Sequence, residues 1–441
     1  MKKLLLTGFA LVSMATQAQT WVQQNSNFPT ASTLVRDIHA VNANVAWAYA
    51  ALPGAGAANL QQYTRTSNGG ATWTAGQINV GNTTLGISDL TAADANTAWV
   101  AVNGSNQGIW KTVDGGTTWN KQTTADYSKP LSFPNTIYFW DVNTGVSMGD
   151  PDTANGRFTI FTTTNGGTNW VRVPDANLPA TSGEYGYTTI KAFAGNTIWI
   201  GTDQGRVLKS NDKGMNWTVT ATPIIDFGGV TTAGSNGQLT LKDANTAWVM
   251  DQDGIIFKTT DAGASWPLVD VMSGTNYAGD LKYVPGTVQT LISSGAGNPE
   301  RGSAISYDGG ENWTELTADA INGDPGITAL AAYDASTIYG GAFKNTAGTG
   351  GMNKLGALLA TANPASAKTA VSIYPNPTKG QVNIVSKSDV KSILLVDMNG
   401  RAVKSFENTK QIDLAGLQKG VYILNVTLAD GQRTATKLIK D

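Results

Sequence analysis

Three carboxylic acids near the middle of the chain have a spacing that could support acid–base chemistry. Asp150 and Asp152 stand with Arg157 in "GDPDTANGRF" (149–158), and Glu184 follows in "SGEYGY" (182–187). Paired carboxylates can hydrolyse a glycosidic bond, and a set of carboxylate oxygens can hold Ca²⁺. These four residues are therefore the candidate catalytic group.

Other polar residues occupy comparable stretches and are candidates for ligand binding. They are Asp203, Arg206, Asp251, Asp253, Glu300 and Arg301. The alternative interpretation is structural, because Asp and Arg in loops rich in Gly and Asn commonly form turns and surface ion pairs. We favour the structural interpretation.

The rest of the sequence offers little for catalysis. It has no cysteine and a single histidine, His39, so a Cys/His metal cluster lacks its residues, and a His-dependent nucleophilic mechanism has no candidate besides His39. We expect His39 to be a packed or surface residue. No Gly-rich phosphate loop or HExxH motif occurs. No cofactor is predicted, and Ca²⁺ is the one open option.

The candidate loops belong to a repeated unit whose clearest mark is a turn pattern, [ST]-x-[DN]-x-G-x-x-W. The six copies are "TSNGGATW" (66–73), "TVDGGTTW" (112–119), "TTNGGTNW" (163–170), "SNDKGMNW" (210–217), "TTDAGASW" (259–266) and "SYDGGENW" (306–313). The Asp or Asn can bond backbone amides in a tight turn, the Gly can adopt positive φ, and the Trp opens the return strand and can bury its ring.

Apolar strands precede each turn. An inner strand such as "TTIKAFA" (188–194) and a second strand such as "ANTAWVAV" (95–102) come before a third strand that ends in the turn, and an outer strand begins at the Trp. Four short strands in each unit are typical of a β-propeller blade. Seven second strands accompany six complete turns, so the pattern predicts seven blades.

The seventh unit lacks an outer strand of its own. It has an inner strand (327–334) and a second strand (336–343), and we expect its third strand at "LGALLATAN" (355–363), with Thr361 and Asn363 in the turn positions. The segment "QTWVQQNSNFP" (19–29) has the features of an outer strand without its turn. We therefore expect Trp21 to complete the last blade and to close the ring by hydrogen bonds.

The turn pattern resembles the Asp-box, or BNR, repeat of sialidases, some xyloglucan hydrolases and photosystem II assembly-factor-like propellers. The resemblance covers residues 19–363 and implies an all-β, seven-bladed propeller. In that family the boxes lie away from the ligand face, which implies a structural role for the box residues. These are Asn68, Asp114, Asn165, Asp212, Asp261 and Asp308, with Trp21, Trp73, Trp119, Trp170, Trp217, Trp266 and Trp313.

The enzymes in this family fit less well. A sialidase needs three convergent arginines, and Arg36 stands in the first inner strand, but "LVRDIHA" (34–40) lacks the family's Arg-Ile-Pro pattern. A xyloglucan hydrolase of the family has two propellers on either side of its cleft, whereas the repeats of this chain account for one propeller. Residues 19–370 carry 18 basic and 26 acidic residues. Their net negative charge disfavours binding of an anionic sugar or of nucleic acid.

The chain begins with features of a secretory leader. Lys2 and Lys3 precede an apolar stretch from Leu4 to Met14, and small residues place cleavage after Ala18. The stretch is shorter than the roughly 20 residues that span a bilayer. We predict a signal peptide at 1–18 and no transmembrane segment in the mature chain.

The last residues form a separate small module. A linker is expected at 364–370, followed by about seven short strands over 371–441. The motifs "YPNP" (374–377), "DMNGR" (397–401), "GVY" (420–422) and "KLIK" (437–440) resemble the type A C-terminal sorting domain of the type IX secretion system of Bacteroidota. That resemblance implies an Ig-like antiparallel sandwich, recognition by the secretion machinery, and release or attachment at the cell surface.

These observations predict a secreted or surface-attached propeller scaffold that binds a protein or a glycan. The alternative is a glycoside hydrolase, sialidase-like or acting on another polysaccharide, that uses the loop carboxylates. A non-catalytic role is favoured, and nucleic acid is not an expected partner.

Overall fold

The computed structural model describes residues 20–53, 59–129, 131–153, 156–181, 183–228, 236–297, 301–317, 326–344, 349–358, 371–386, 388–397, 402–429 and 433–441. The chain divides into two compact units, 1–358 and 359–441. The leader, Glu300, Thr361, Asn363, the linker 364–370 and most of the "DMNGR" turn lie outside the described residues.

The first unit is built of short strands. In chain order they are β1 (Trp21–Asn25), β2 (Leu34–Ala40), β3 (Ala46–Ala51), β4 (Asn59–Thr66), β5 (Thr74–Gln77), β6 (Gly86–Ala92), β7 (Ala98–Asn103), β8 (Gly108–Thr112), β9 (Asn120–Gln122), β10 (Pro134–Phe139), β11 (Gly145–Pro151), β12 (Phe158–Thr163), β13 (Val171–Arg172), β14 (Gly186–Ala194), β15 (Thr197–Thr202), β16 (Arg206–Ser210), β17 (Thr218–Ala221), β18 (Gly237–Leu241), β19 (Ala247–Asp251), β20 (Ile256–Thr259), β21 (Asp280–Tyr283), β22 (Leu291–Ala296), β23 (Arg301–Ser306), β24 (Thr314–Thr317), β25 (Ile327–Asp334), β26 (Thr337–Lys344) and β27 (Gly350–Leu355). A single 3₁₀ turn at Asp175–Asn177 interrupts the strands of the described part.

Consecutive strands pair antiparallel in small meanders. β6–β9, β10–β13, β14–β17 and β21–β24 form four-stranded sheets, and β18–β20 form a three-stranded one. An eight-stranded sheet holds two further meanders, β2–β5 and β25–β26–β27–β1, which the single pair Leu34–Phe343 joins. Small meandering sheets of this kind, repeated along the chain, are the architecture of a β-propeller.

The repeated turns share one set of hydrogen bonds. In the turn at 112–119, Thr112 Oγ1 accepts from the Gly116 amide at 2.9 Å, and Asp114 Oδ1 accepts from the Thr118 amide at 2.9 Å. Hydrogen bonds from Thr118 and Thr112 hold the pKa of Asp114 at about 2. Gly116 has φ +90°, a conformation that favours glycine. The other five copies repeat both amide bonds. The turn is therefore fixed by its own polar side chains.

The N-terminal strand completes the last meander. β1 pairs with β27 so that Val22 lies opposite Lys354, which matches the pairing of Thr74 with Arg65 in the first meander. β1 thus takes the register of an outer strand, although no turn connects it to β27. Trp21 is 5% exposed and packs among apolar residues of the last two meanders. Two segments far apart in the chain therefore close the sheet.

The third strand of this meander was placed wrongly from the sequence. It is Gly350–Leu355, and not 355–363. Lys354 pairs with Val22, the residue after Trp21, just as Arg65 pairs with the residue after its tryptophan in the first meander. Leu355 therefore occupies the position that Ser or Thr holds at the start of the six turns. The apolar run "LGALLA" was a misleading signal, since "GGMNKL" carries Gly, Asn and Lys yet buries Met352 and Leu355 between neighbouring strands.

A cation on the third strand links most meanders to the next one. Its charged group lies over an aromatic ring of the second strand. In four of the five cases it also donates to a carbonyl of the following turn, whereas Lys258 donates to the side chain of Gln289. The cation–ring pairs are Arg65 over Trp47 at 5.5 Å, Lys111 over Trp99 at 5.1 Å, Lys209 over Trp199 at 5.3 Å, Lys258 over Trp248 at 5.1 Å and Lys354 over Tyr339 at 5.8 Å. The carbonyl bonds include Lys111 to Gly166 at 2.8 Å and Lys354 to Gly69 at 2.7 Å. The last of these joins the end of the repeat region to its beginning.

The second unit is a small antiparallel sandwich. Its strands are β28 (Val371–Tyr374), β29 (Gln381–Ser386), β30 (Val390–Asp397), β31 (Ala402–Glu407), β32 (Gln411–Asp413), β33 (Gly420–Leu428) and β34 (Arg433–Lys440). They form the sheets β28-β29-β32 and β31-β30-β33-β34. Val382 and Ile412 from the first sheet and Leu395 and Leu424 from the second share one buried core. Alternating inward-facing residues therefore hold the two sheets together.

Candidate functional site

The candidate carboxylates hold the segment 184–186, which leads into the inner strand β14. Asp150 Oδ1 accepts from the Gly186 amide at 2.9 Å, and Asp203 Oδ1 accepts from the Tyr185 amide at 2.9 Å. Glu184 itself forms an ion pair with Arg206. Residues from two neighbouring meanders thus converge on three consecutive positions. The sequence placed all four side chains in loops, and the structure shows that they anchor one segment.

Asp150 has the most perturbed environment of this group. Burial raises the pKa of Asp150 to about 7, while hydrogen bonds from the Gly186 amide and the Asn135 side chain oppose that shift and the charge of Asp203 adds to it. Asn135 Nδ2 donates to Oδ1 at 2.6 Å. The oxygen that holds the strand is therefore already engaged by two donors.

Glu184 is buried and fully engaged with its neighbours. Its Oε1 accepts from Thr202 Oγ1 at 2.6 Å and from Arg206 Nε at 2.9 Å, while Oε2 pairs with Arg206 Nη2. Arg206 also donates to the carbonyl oxygen of Ala180 at 3.2 Å. A bidentate pair of this kind fixes orientation and is worth more than a single contact. Both carboxylate oxygens of Glu184 are committed to this pair.

The remaining candidates do not join this cluster. Arg157 donates to the carbonyl oxygen of Leu178 at 2.9 Å, and Asp251 accepts from the amides of Asp253 and Ile255 at 2.9 Å each. Asp152 is half-buried, and Asp253 and Arg301 are exposed. Glu300 lies outside the described residues. These side chains serve turns and loop contacts or face solvent.

The inner strands line a channel that the sequence did not single out. One end is a cavity of about 540 Å³, and the other end a cavity of about 370 Å³. Asp37, Thr189 and Lys282 line both cavities, so the two adjoin along the inner strands. Volumes of this size fall in the range of small-molecule sites.

Charged side chains cross the channel between different inner strands. Lys191 on β14 forms an ion pair with Asp89 on β6, and its Nζ lies 3.7 Å from Asp37 Oδ2 on β2. Asp89 Oδ2 also accepts from the Ile137 amide on β10 at 2.8 Å. Burial raises the pKa of Asp89, although the ammonium of Lys191 opposes the shift. These contacts tie four inner strands together at the channel wall.

A second ion pair lies nearby on β21. Lys282 Nζ donates to Asp280 Oδ1 at 2.7 Å, and Asp280 Oδ2 accepts from the Leu330 amide at 2.8 Å. Burial alone would lower the pKa of Lys282, but the charges of Asp280 and Asp37 raise it above its usual value. Lys282 therefore stays charged. The sequence did carry a signal for the inner-strand aspartates Asp37, Asp89 and Asp280. Each is a single Asp within an inner strand, in "VRDIHA", "ISDLTA" and "GDLKY".

His39 lies at the wall of the larger cavity. It is 7% exposed, its ring centroid lies 5.8 Å from that of Tyr138 and 5.9 Å from that of Phe193, and Tyr138 stacks on Phe193 at 4.1 Å. Burial, and then the charge of Lys191, lower the pKa of His39 to about 3. The histidine is thus neutral and packed among aromatic rings.

Two family models match parts of the chain. Residues 66–239 match the photosynthesis system II assembly factor YCF48 family, and residues 372–441 match the secretion system C-terminal sorting domain. A comparison with curated proteins finds no match.

Solved structures resemble the fold at low sequence identity. YCF48 bound to a D1 peptide is 14% identical with a TM-score of 0.51, over 78% of this chain and 97% of that one. YCF48 from Cyanidioschyzon merolae is 17% identical with a TM-score of 0.54, over 76% and 99%. PorZ, a surface component of the type-IX secretion system of Porphyromonas gingivalis, is 14% identical with a TM-score of 0.44, over 94% and 66%. The YCF48 structures support the propeller fold.

Within the described residues, no helix has the length and apolar character needed to cross a membrane. The sorting domain marks the chain for export by type IX secretion to the cell surface. The chain thus joins a propeller built of YCF48-like BNR repeats to a type IX C-terminal sorting domain.

Proposed function

We propose that this protein is a non-catalytic scaffold at the cell surface, a seven-bladed propeller that binds a protein or a glycan. One observation carries the proposal. The carboxylates best placed for chemistry, Asp150 and Glu184, are occupied in holding the entry to β14, and both oxygens of Glu184 are committed to Arg206 and Thr202. The channel of the inner strands, with its charged wall, supports binding as the role.

A hydrolase is the second candidate, and the pKa of Asp150 favours it. A carboxyl group with a pKa raised to about 7 resembles a general acid at neutral pH. The opposing observation is that Asp150 Oδ1 accepts two hydrogen bonds within the fold, so the group is engaged before any substrate arrives.

The test compares binding with turnover on the full-length protein. A glycan array and a pull-down from the cell envelope should reveal a ligand, while assays on polysaccharides and sialosides should show no hydrolysis. Hydrolysis that disappears in Glu184→Gln or Asp150→Asn, with the fold intact by circular dichroism, would overturn the scaffold proposal.

The role of the second unit can be tested separately. We propose that residues 371–441 form the sorting domain and are the part that the secretion machinery recognises. A chain that ends at Leu358 keeps every described strand of the first unit and should accumulate in the periplasm. Surface exposure of that shortened chain, measured by protease accessibility on whole cells, would contradict the proposal.

A further inference from the structure

The larger cavity opens on the same face as the repeated turns. Its lining comes from the last residues of the inner strands, including Ala40, Phe193, Leu241 and Tyr333. Because neighbouring strands are antiparallel, the end of the first strand and the end of the third strand of each meander lie on one face. We call this space the box-face cavity. The family resemblance places ligands on the opposite face, so this cavity is outside that expectation.

Two charged groups at the floor of the box-face cavity keep hydrogen-bonding capacity. Lys282 Nζ donates to Asp280 and has three hydrogens, and its side chain is 26% exposed. Asp37 Oδ1 accepts from the Ile38 amide at 2.8 Å, while Oδ2 lies 3.7 Å from Lys191 Nζ, which is beyond hydrogen-bond distance. Lys282 Nζ and Asp37 Oδ2 therefore both keep hydrogen-bonding capacity at the same floor.

The walls of the cavity are largely apolar, and its mouth combines aromatic rings with the charged residues Lys242 and Asp243. Ile38, Leu241 and Leu330 line the walls, and two aromatic rings lie near the opening, Phe193 at 39% exposure and Tyr333 at 40%. Large exposed rings beside a concave site commonly provide flat contact surfaces for a ligand with an apolar face.

The backbone beside the floor is strained. Between the pairs Gly186–Thr202 and Lys191–Ile200, β14 bulges, and Thr189 within the bulge has φ +68°. A β-branched residue rarely adopts this conformation, and such strain persists where the surrounding structure imposes it, often at functional sites. Thr189 lines both cavities, so the bulge lies at the boundary between them and forms part of the floor of the box-face cavity.

We propose that the box-face cavity binds a neutral saccharide ring, with adjacent hydroxyl groups bridging Lys282 and Asp37. This inference rests on the proposed binding function and narrows it. A charged ligand would be attracted by one of these two groups and repelled by the other, because Lys282 is positive and Asp37 is negative. A neutral sugar avoids this repulsion, and each of its hydroxyl groups can both donate and accept a hydrogen bond. The C–H face of the ring packs against Tyr333 and Phe193. The cavity of about 540 Å³ has room for one or two rings.

The experiment uses the full-length protein and the methyl glycosides of glucose, galactose and mannose. Saturation-transfer NMR should show transfer to at least one of them, and titration should give its affinity. Lys282→Met and Asp37→Asn should each weaken binding by roughly 10-fold or more, because a hydrogen bond to a charged group is lost. Tyr333→Ala should weaken it several-fold, and the exposure of that ring makes unfolding an improbable cause.

Matched controls separate this inference from the proposed function. Lys129→Met and Asp270→Asn change exposed residues outside the cavity and should bind as the parent does. Saccharide binding that survives Lys282→Met, Asp37→Asn and Tyr333→Ala would overturn the site while leaving a glycan-binding scaffold. Saturation transfer to free phenylalanine or leucine, and to none of the glycosides, would overturn the ligand class. A parent protein that binds no glycan and no envelope protein would contradict both proposals.

Discussion

The indole Nε1 of Trp21 donates a 2.7 Å hydrogen bond to Oγ of Ser303, which lies 282 residues later in the chain. Both groups are buried, and the Trp21 ring packs against the last two meanders. Trp21→Ala should therefore lower the free energy of unfolding by roughly 3–5 kcal/mol, as for other buried aromatic truncations. Urea unfolding followed by tryptophan fluorescence measures the change. Val22→Ala, at a side chain that is 59% exposed, is the control and should have little effect.

Lys354 makes the same contacts at the ring closure that Lys111 makes between two consecutive meanders. Each ammonium lies over an aromatic ring and donates to a turn carbonyl, that of Gly69 or Gly166. Lys354→Met and Lys111→Met should each cost about 1.5–3 kcal/mol, which is typical of a hydrogen bond to a charged group. Chemical unfolding of the two variants, with Lys129→Met as control, tests this. A much smaller cost for Lys354→Met would show that the closure is weaker than the internal contacts.

Asp150 should make stability depend on pH. Its pKa of about 7 in the folded state exceeds the usual 3.8, so the folded state holds a proton that the unfolded chain releases between these values. The contribution is fully present below about pH 4 and is lost as the pH rises to about 7. We expect Asp150→Asn to reduce the fall in Tm between pH 5 and pH 8 in differential scanning fluorimetry. An unchanged slope would show that Asp150 is not protonated at pH 5.

Removing the charge of Glu184 should destabilise the entry to β14. Glu184→Gln leaves Arg206 partly buried without its counter-ion, and we expect a loss of roughly 2–4 kcal/mol, below the full value for buried pairs because the Arg206 side chain is 27% exposed. The double variant Glu184→Gln/Arg206→Met should recover part of this loss. Urea unfolding of the three variants gives the coupling energy, and strictly additive effects would contradict a specific pair.

Thr189 should tolerate glycine better than most strand positions. Its φ of +68° costs a β-branched residue about 1–2 kcal/mol, and glycine removes that strain. Thr189→Gly should therefore leave the Tm unchanged or raise it slightly, although glycine within a strand normally destabilises by roughly 0.5–1 kcal/mol. Ile190→Gly in the same bulge, scanned beside it, should lower the Tm.

The sequence predicted the β-propeller because its strongest signals are local. Each turn needs a Ser or Thr, an Asp or Asn, a Gly and a Trp at fixed spacing, and Trp21 fits the same series. The third strand of the last meander was misplaced because the sequence of Gly350–Leu355 does not lead into a copy of the turn pattern, and its pairing with β1 identifies it. The pairing depends on residues far apart in the chain, which no local pattern reports.

The candidate site was harder to predict for a related reason. Asp150, Glu184 and Arg206 were chosen as loop residues, but their shared role at 184–186 depends on contacts between two meanders. The pairs of Lys191 with Asp89 and of Lys282 with Asp280 lie on inner strands, where the sequence shows only isolated charges among apolar residues. Which of those charges meet across the channel follows from the arrangement of the inner strands.

Strand β1 is the first of the described strands to leave the ribosome, yet its partner Gly350–Leu355 is the last strand of the repeat region to be made. Until Gly350–Leu355 is made, β1 has no partner strand and the last sheet of the repeat region stays incomplete. A polypeptide that stalls before residue 350 cannot finish the ring, however well its earlier blades have folded. Truncated copies would thus expose the unpaired backbone of β1 and of the incomplete sheet, a template for aggregation.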